Sequence, residues 1–144
     1  MASSWYISKE KRKNIFYDSN IPPIDIEKWR AVVENDGTLF WFEDTALGKE
    51  SFESPIASGN TKIKKKNAHF DLDKGFGHWK VQFNYNIEHG FIWIMETRTS
   101  LRRIEKYYEL AQKLEAKLFK NKTWINEERM QKIRDKYDQK KNDK

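Results

Sequence analysis

The sequence predicts a single α+β domain in which a mostly antiparallel sheet of four to six strands is packed by two or three helices. The length of 144 residues is usual for a chain that buries one core. Residues 81–87 alternate between apolar and polar side chains, as a half-buried strand does, whereas apolar residues recur at helical spacing from 101 to 114. The 9 Phe, 6 Trp and 6 Tyr can supply much of the buried area.

Two short β-prone runs open the chain. Residues 5–7 and 15–17 are rich in aromatic and β-branched side chains, and a charged stretch separates them. We expect these runs to form the two strands of a hairpin.

A helix is expected near residues 25–35. Pro22 and Pro23 exclude a helix before this point, and Asp25 stands where an N-cap belongs. Apolar residues then recur at helical spacing until Gly37 ends the element.

Strands and a loop are expected in the middle of the chain. Residues 38–42 are β-branched and aromatic and predict a strand, whereas residues 44–60 contain Gly, Pro and Ser and predict a long loop. Residues 67–73 alternate and predict a half-buried strand. Both faces of residues 91–95 are apolar, which indicates a central strand that is covered on both sides.

The C-terminal part predicts a second long helix near residues 100–116, which a Thr-Ser pair can cap. Its apolar stripe consists of Leu101, Ile104, Tyr108, Ala111 and Leu114. Residues 117–124 predict a returning strand. We therefore divide the chain into an α+β domain, residues 1–125, and a basic C-terminal helix with a frayed tail, residues 126–144.

The composition and the first residues predict a cytoplasmic protein without a membrane partner. There is no cysteine, which excludes disulfides and thiolate zinc sites and fits a reducing compartment. Residues 1–13 lack the apolar run of a signal peptide. No later stretch approaches the roughly 18 apolar residues of a membrane span.

The best catalytic-looking cluster is the polar face of one predicted strand. His69, Asp71 and Asp73 share that face, with His78 nearby, and could in principle bind a metal or transfer protons. An ordinary solvated strand face shows the same pattern. No nucleophile elbow, glycine-rich phosphate loop or zinc-protease motif occurs. We therefore expect no enzyme activity, no catalytic residue, no cofactor and no metal.

The net charge of +6 is unevenly distributed along the chain. A basic cluster beside aromatic strands consists of Lys62, Lys64, Lys65 and Lys66. Single-stranded nucleic-acid binders use this combination for phosphate contacts and base stacking, so a small basic nucleic-acid-binding module is one possible function. However, Phe83 and Tyr85 alternate with polar neighbours, as core residues do, and no RNA-recognition signature occurs.

The segment of residues 34–53 has the opposite charge, with six acidic residues against one lysine. Its aromatic side chains are interspersed with carboxylates, and protein interfaces favour aromatic anchors rimmed by charge. The segment also joins a predicted strand to a loop, a usual place for recognition on a rigid scaffold. The predicted partner-binding residues are Trp41, Glu43, Asp44, Glu50, Phe52 and Glu53.

Several local phrases resemble those of a known protein family. A helix that opens on an I-(S/D)-x-E-x-W phrase is represented by Ile24, Asp25, Glu27 and Trp29. An aromatic strand, a glycine turn, a buried strand and a helix that closes on L-A-x-x-L-x-A are represented by Phe83, Tyr85, Gly90, Ile92, Ile94, Leu110, Ala111, Leu114 and Ala116. In this order the phrases resemble the small immunity proteins of bacterial polymorphic-toxin systems, namely contact-dependent and type VI secretion systems.

The chain departs from that pattern in two places. Glu115 stands where a glycine usually precedes the final alanine, and Lys120, Asn121 and Lys122 stand where acidic residues usually follow. The resemblance implies an immunity protein that binds a cognate toxin or effector domain and neutralises it by stoichiometric inhibition. It implies no functional residue, because the matching positions are core and framework positions.

Overall fold

The computed structural model describes residues 4–11, 21–41, 67–70, 81–96 and 99–142. The strands are β1 Trp5–Ser8, β2 Leu39–Trp41, β3 Asn67–Phe70, β4 Val81–Tyr85, β5 Ile92–Glu96, β6 Lys117–Lys120 and β7 Thr123–Trp124. The helices are α1 Ile26–Glu34, α2 Leu101–Lys113 and α3 Glu127–Asn142. None of these helices is long and apolar enough to cross a membrane.

The described strands form one sheet in the order β2-β3-β4-β5-β1-β6-β7, and every neighbouring pair is antiparallel. The predicted α+β class, antiparallel sheet and number of helices are confirmed. The described part of the chain contains seven strands, and residues 117–124, which predict one strand, form the hairpin β6–β7. Asn121 at its turn has φ 55°, a left-handed conformation that asparagine tolerates.

Strand β1 lies inside the sheet. It pairs with β5 along one edge and with β6 along the other, and all four of its residues are buried. Asn121 extends the contact, since its N–H donates to the Ser4 carbonyl at 2.6 Å and its Oδ1 accepts from the Ser4 N–H at 3.0 Å. The second run of the expected hairpin, residues 15–17, lies outside the described residues.

The main core lies between one face of the sheet and the helices. Asp25 caps α1 by accepting a hydrogen bond from the Glu27 N–H at 3.0 Å. Trp29, in the first turns of this helix, is fully buried in the core. The Trp29 ring packs edge-on against Phe83 of β4, with ring centroids 6.2 Å apart. Such tilted aromatic pairs contribute beyond the area that they bury.

Helix α2 packs on the centre of the sheet. Ser100 caps it by accepting the Arg103 N–H at 3.3 Å. In the predicted stripe Ile104, Ala111 and Leu114 are buried, whereas Leu101 and Tyr108 are only partly buried. The stripe also includes Tyr107 and Leu110, which are fully buried.

Helix α2 ends in a tight turn that places Glu115 in a left-handed conformation. The Ala116 N–H donates to the Ala111 carbonyl at 2.9 Å, which closes a Schellman motif. Glu115 occupies its left-handed position with φ 53°, a conformation that glycine adopts without strain. The Lys9 ammonium donates to the Leu114 and Glu115 carbonyls at 3.2 and 3.0 Å, so β1 and the end of α2 are joined.

Helix α3 packs against α2 through a narrow apolar stripe. Met130 is fully buried in the main core, and Ile133 and Tyr137 are partly buried against it. Arg134 on the same helix contacts Glu105 of α2, with 2.7 Å from Nε to Oε1. The C-terminal helix is therefore attached to the main core.

The loop after α1 is tied to α2 by a buried ion pair. The side chains of Asp36 and Lys106 are 7% and 8% exposed and hydrogen-bond to each other. Thr38 donates to the same carboxylate through its N–H at 2.9 Å and its hydroxyl at 2.6 Å. Burial alone would raise the pKa of Asp36, but the hydrogen bonds from Lys106 and Thr38 outweigh burial and lower the pKa below its ordinary value.

Gly90 is predicted to be essential for the stability of the turn between β4 and β5. Its φ is 66°, and a β-carbon there would lie 2.3 Å from the Pro23 β-carbon. We expect Gly90→Ala to lower the free energy of unfolding by about 2 to 4 kcal/mol, measured by urea denaturation. The control is Gly37→Ala, where an added β-carbon meets no described atom within 4 Å. An equal loss in both variants would contradict this account of the turn.

The buried pair is predicted to make stability depend on pH. Because the pKa of Asp36 is lowered on folding, its contribution is present above about pH 4, the value for an unfolded aspartate, and is lost as the pH falls through the folded pKa. Near neutral pH, Lys106→Met leaves a buried carboxylate unpaired and should cost about 3 to 5 kcal/mol. That cost should shrink as the pH falls through the Asp36 pKa of the variant, which lacks the Lys106 hydrogen bond and is therefore higher than in the wild type.

Urea unfolding at a series of pH values measures this cost. The control is Lys132→Met, since the Lys132–Glu128 pair is on the surface, with side chains 75% and 77% exposed. We expect that change to cost no more than about 1 kcal/mol at any pH. A Lys106→Met cost that does not change with pH would exclude the lowered pKa of Asp36 as its source.

Candidate partner-binding site

The structure describes one of the six predicted partner-binding residues, Trp41, and places it in the core. Its side chain is 6% exposed and packs edge-on against Trp29, with ring centroids 6.4 Å apart. Trp41 shares the core face of β2 with Leu39, because α1 covers that face. The expectation that Trp41 is a surface anchor is therefore corrected. Residues Glu43, Asp44, Glu50, Phe52 and Glu53 lie outside the described residues, and their role stays a prediction.

The described residues contain little that suggests catalysis or metal binding. Asp71, Asp73 and His78 lie outside them, as do the lysines of residues 62–66. For His69 the described feature is its backbone, which pairs with Phe40 on one side and Gln82 on the other. Within the described ranges there is no group of three or more potential metal-ligating side chains.

A polar cluster at the end of β5 connects β5 to α2 through side-chain hydrogen bonds. The Tyr107 hydroxyl donates to Glu96 Oε2 at 2.5 Å, and the Thr99 hydroxyl donates to Glu96 Oε1 at 2.6 Å. Burial, reinforced by the hydrogen bond to Glu96, raises the pKa of the Tyr107 hydroxyl far above its ordinary value. Tyr107 therefore stays protonated and acts as a hydrogen-bond donor at physiological pH.

Among the described residues, the candidate site is a cleft at the β7 edge of the sheet, between the end of α2, the β6–β7 hairpin and the start of α3. Its volume is about 250 Å³. Ala111, Leu118 and Ile125 lie beneath the cleft and are at most 5% exposed. The walls and rim consist of Tyr108, Gln112, Ala116, Lys117, Trp124, Asn126 and Glu127. Most of the accessible surface of the cleft is therefore polar.

Trp124 is the most exposed large apolar side chain in the described part of the chain. It is 46% exposed, and Met95, at 42%, is the other large exposed one. The Lys117 ammonium lies 4.9 Å from the Trp124 ring centroid and 3.3 Å from Glu10 Oε2. This cation–π contact holds the lysine stem against the ring.

A row of aromatic residues crosses the sheet and ends at Trp124. Cross-strand pairing places Trp93 opposite Tyr6, Tyr6 opposite Phe119, and Phe119 opposite Trp124, so all four share the face opposite the main core. Tyr6 and Phe119 are buried and stacked, with centroids 4.9 Å apart and planes 7° apart. Trp124 thus extends a packed aromatic row beyond its buried part.

The backbone of Trp124 is also fixed by a hydrogen bond from α3. Asn126 caps α3 by accepting the Arg129 N–H at 2.9 Å, and the Arg129 guanidinium donates to the Trp124 carbonyl at 3.3 Å. The Ile125 N–H donates to the Leu118 carbonyl at 2.8 Å. The exposed ring therefore projects from a backbone that is fixed on both sides.

The hairpin beside the cleft is basic. Residues 117–124 contain three lysines and no acidic residue. Lys120 and Lys122 are exposed and form no ion pair with any other described residue. The acidic residue that lines the cleft is Glu127, at the start of α3.

Sequence reasoning missed this site. It interpreted residues 117–124 as one strand, which would have assigned no special exposure to Trp124. The signal that could have located the turn is Asn121 between two lysines, since asparagine favours left-handed turn positions.

The chain was also compared with known proteins. No family model, no curated protein and no solved structure matches it.

Proposed function

We propose that this protein acts by binding another protein, and that it is an immunity protein that neutralises a cognate bacterial toxin or effector domain by stoichiometric inhibition. The observation that carries the proposal is the exposed Trp124 ring on a fixed backbone at the β7 edge of the sheet. Tryptophan is enriched among the few residues that dominate binding energy at protein interfaces.

The exposed Trp124 ring offers a protein partner an apolar contact at the edge of the sheet. Because the ring and the cleft are already formed, little ordering would be needed on binding.

The proposal that the partner is a toxin rests on the resemblance to immunity proteins. The matching residues have framework roles here: Asp25 caps α1, Trp29 is buried, and Leu110 and Leu114 are buried in α2. Glu115 takes the left-handed position at which that pattern has glycine. Inhibition would take place in the cytoplasm of the producing cell and would require only that the bound chain covers the toxin.

Nucleic-acid binding is the second candidate. Lys122 and Trp124 present an exposed charge and an exposed ring, which a single strand could use for a phosphate contact and stacking. Lys120 lies over the Trp5 ring, with 5.5 Å from its ammonium nitrogen to the ring centroid. The resemblance to immunity proteins favours the protein partner.

The test is coexpression with the toxin-like domain encoded by the neighbouring gene. We expect the chain to restore growth to cells that express that domain and to elute with it in a 1:1 complex. We expect Trp124→Ala to weaken the complex by about 2 kcal/mol or more, measured by calorimetry. A neighbouring gene that encodes no toxin, or a toxin domain that neither binds the chain nor is neutralised by it, would rule out the immunity proposal.

Met95→Ala is the matched control. Met95 is nearly as exposed as Trp124 but lies three strands away, about 14 Å across the sheet. We expect this change to alter affinity by less than about 0.5 kcal/mol. If the complex forms and both variants bind like the wild type, the interface lies elsewhere, for example on the acidic segment of residues 34–53.

A further inference from the structure

The loop between α1 and β2 contains the one aspartate in the sequence that is followed by glycine, Asp36 before Gly37. This dipeptide is the one most prone to isomerise, because glycine has no β-carbon to keep its amide nitrogen away from the aspartate carboxyl. The nitrogen bonds to the side-chain carboxyl carbon, water leaves, and a five-membered succinimide forms. Water then opens the ring at either carbonyl, which gives aspartate or isoaspartate with no change in mass.

In the folded chain, both oxygens of the Asp36 carboxylate accept hydrogen bonds. Oδ2 accepts from the Lys106 ammonium, and Oδ1 accepts from the Thr38 N–H at 2.9 Å and the Thr38 hydroxyl at 2.6 Å. Succinimide formation expels one of these oxygens as water, which requires a neutral carboxyl. The adjacent ammonium and the three hydrogen bonds favour the ionised form instead. The groups that contact the carboxylate therefore oppose the reaction.

Hydrogen bonds also restrain the backbone around Gly37. The Asp36 N–H donates to the Val33 carbonyl at 3.2 Å, and the Leu39 N–H donates to the Asp36 carbonyl at 3.2 Å. Ring closure changes the conformation of both the backbone and the side chain of Asp36. Because both are held by hydrogen bonds, the loop must open before the ring can close.

We propose that Asp36 is a site of spontaneous isoaspartate formation, and that its contacts with Lys106 and Thr38 keep it unmodified while the chain is folded. Isoaspartate adds one carbon to the main chain and shortens the branch that bears the carboxylate. A modified chain therefore cannot restore the same contacts, and the buried Lys106 loses this partner. The modification limits the lifetime of the chain and is independent of the proposed partner.

The test is peptide mapping of the full chain after storage near neutral pH at physiological temperature. Trypsin should release residues 31–49 as one peptide, which contains Asp36 and also Asp44 as an internal control. Asp44 precedes a threonine, whose branched side chain hinders the attack. Electron-transfer fragmentation identifies the position of isoaspartate, and the unchanged mass distinguishes it from deamidation of Asn35. We expect isoaspartate at Asp36 alone, forming at least about tenfold faster in guanidinium than in the folded chain.

The variants test whether the contacts of the carboxylate provide the protection. An adjacent cation lowers a carboxyl pKa by about 1 to 3, so Lys106→Met should raise the rate in the folded chain by at least about tenfold. Gly90→Ala is the control, since it destabilises the fold but leaves these contacts in place, and we expect it to change the rate by less than about twofold. Gly37→Ala should slow the reaction several-fold in the denatured chain.

Circular dichroism reports whether each variant is folded. If Lys106→Met is not folded, Thr38→Val replaces it, because this change removes the hydroxyl donor and keeps the lysine. We expect Thr38→Val to raise the rate by less than Lys106→Met does. The proposal is overturned if isoaspartate forms no faster at Asp36 than at Asp44 in the denatured chain. It is also overturned if the folded variant without a donor isomerises at the wild-type rate, or if Gly90→Ala accelerates the reaction equally, which would assign the protection to global stability.

Discussion

The structure depends on the insertion of β1 between β5 and β6. The strand Trp5–Ser8 near the N-terminus is buried, and it pairs with β6 along its length and with β5 through its first three residues. Trp5 and Ile7 point into the main core, whereas Tyr6 belongs to the smaller cluster on the opposite face. Because β6 and β7 lie beyond β1 in the sheet, β1 provides the pairing that attaches the hairpin to the other strands.

The candidate site follows from that insertion. Tyr6 of β1 stacks on Phe119 of β6, and Phe119 is paired with Trp124 of β7, so the exposed ring is supported through two strands. Lys9, just after β1, binds the last carbonyls of α2, which forms another side of the cleft. The hairpin and the end of α2 are therefore both attached to one short segment of chain. A partner that binds at Trp124 would meet a surface whose geometry is fixed before binding.

The sequence predicted the helices and strands whose positions follow from a local pattern of apolar residues. Alternation of apolar and polar residues located β4, and helical spacing of apolar residues located α1 and α2, to within a few residues. This was possible because an element that buries one face repeats its apolar residues at a regular spacing. The position of β1 in the sheet was not predictable, since pairing between residues more than 80 apart leaves no local signal. Likewise, the burial of Trp41 depends on α1, and the exposure of Trp124 depends on the edge position of a two-residue strand.

Native-state hydrogen exchange of the β1 amides tests most directly whether the site depends on this insertion. If β1 attaches the hairpin to the core, the amides of residues 5–8 should exchange only through global unfolding. Their opening free energy should then equal that from urea denaturation, with the same denaturant dependence. Exchange of these amides through a local opening of much lower free energy, while β4 and β5 stay protected, would contradict the account.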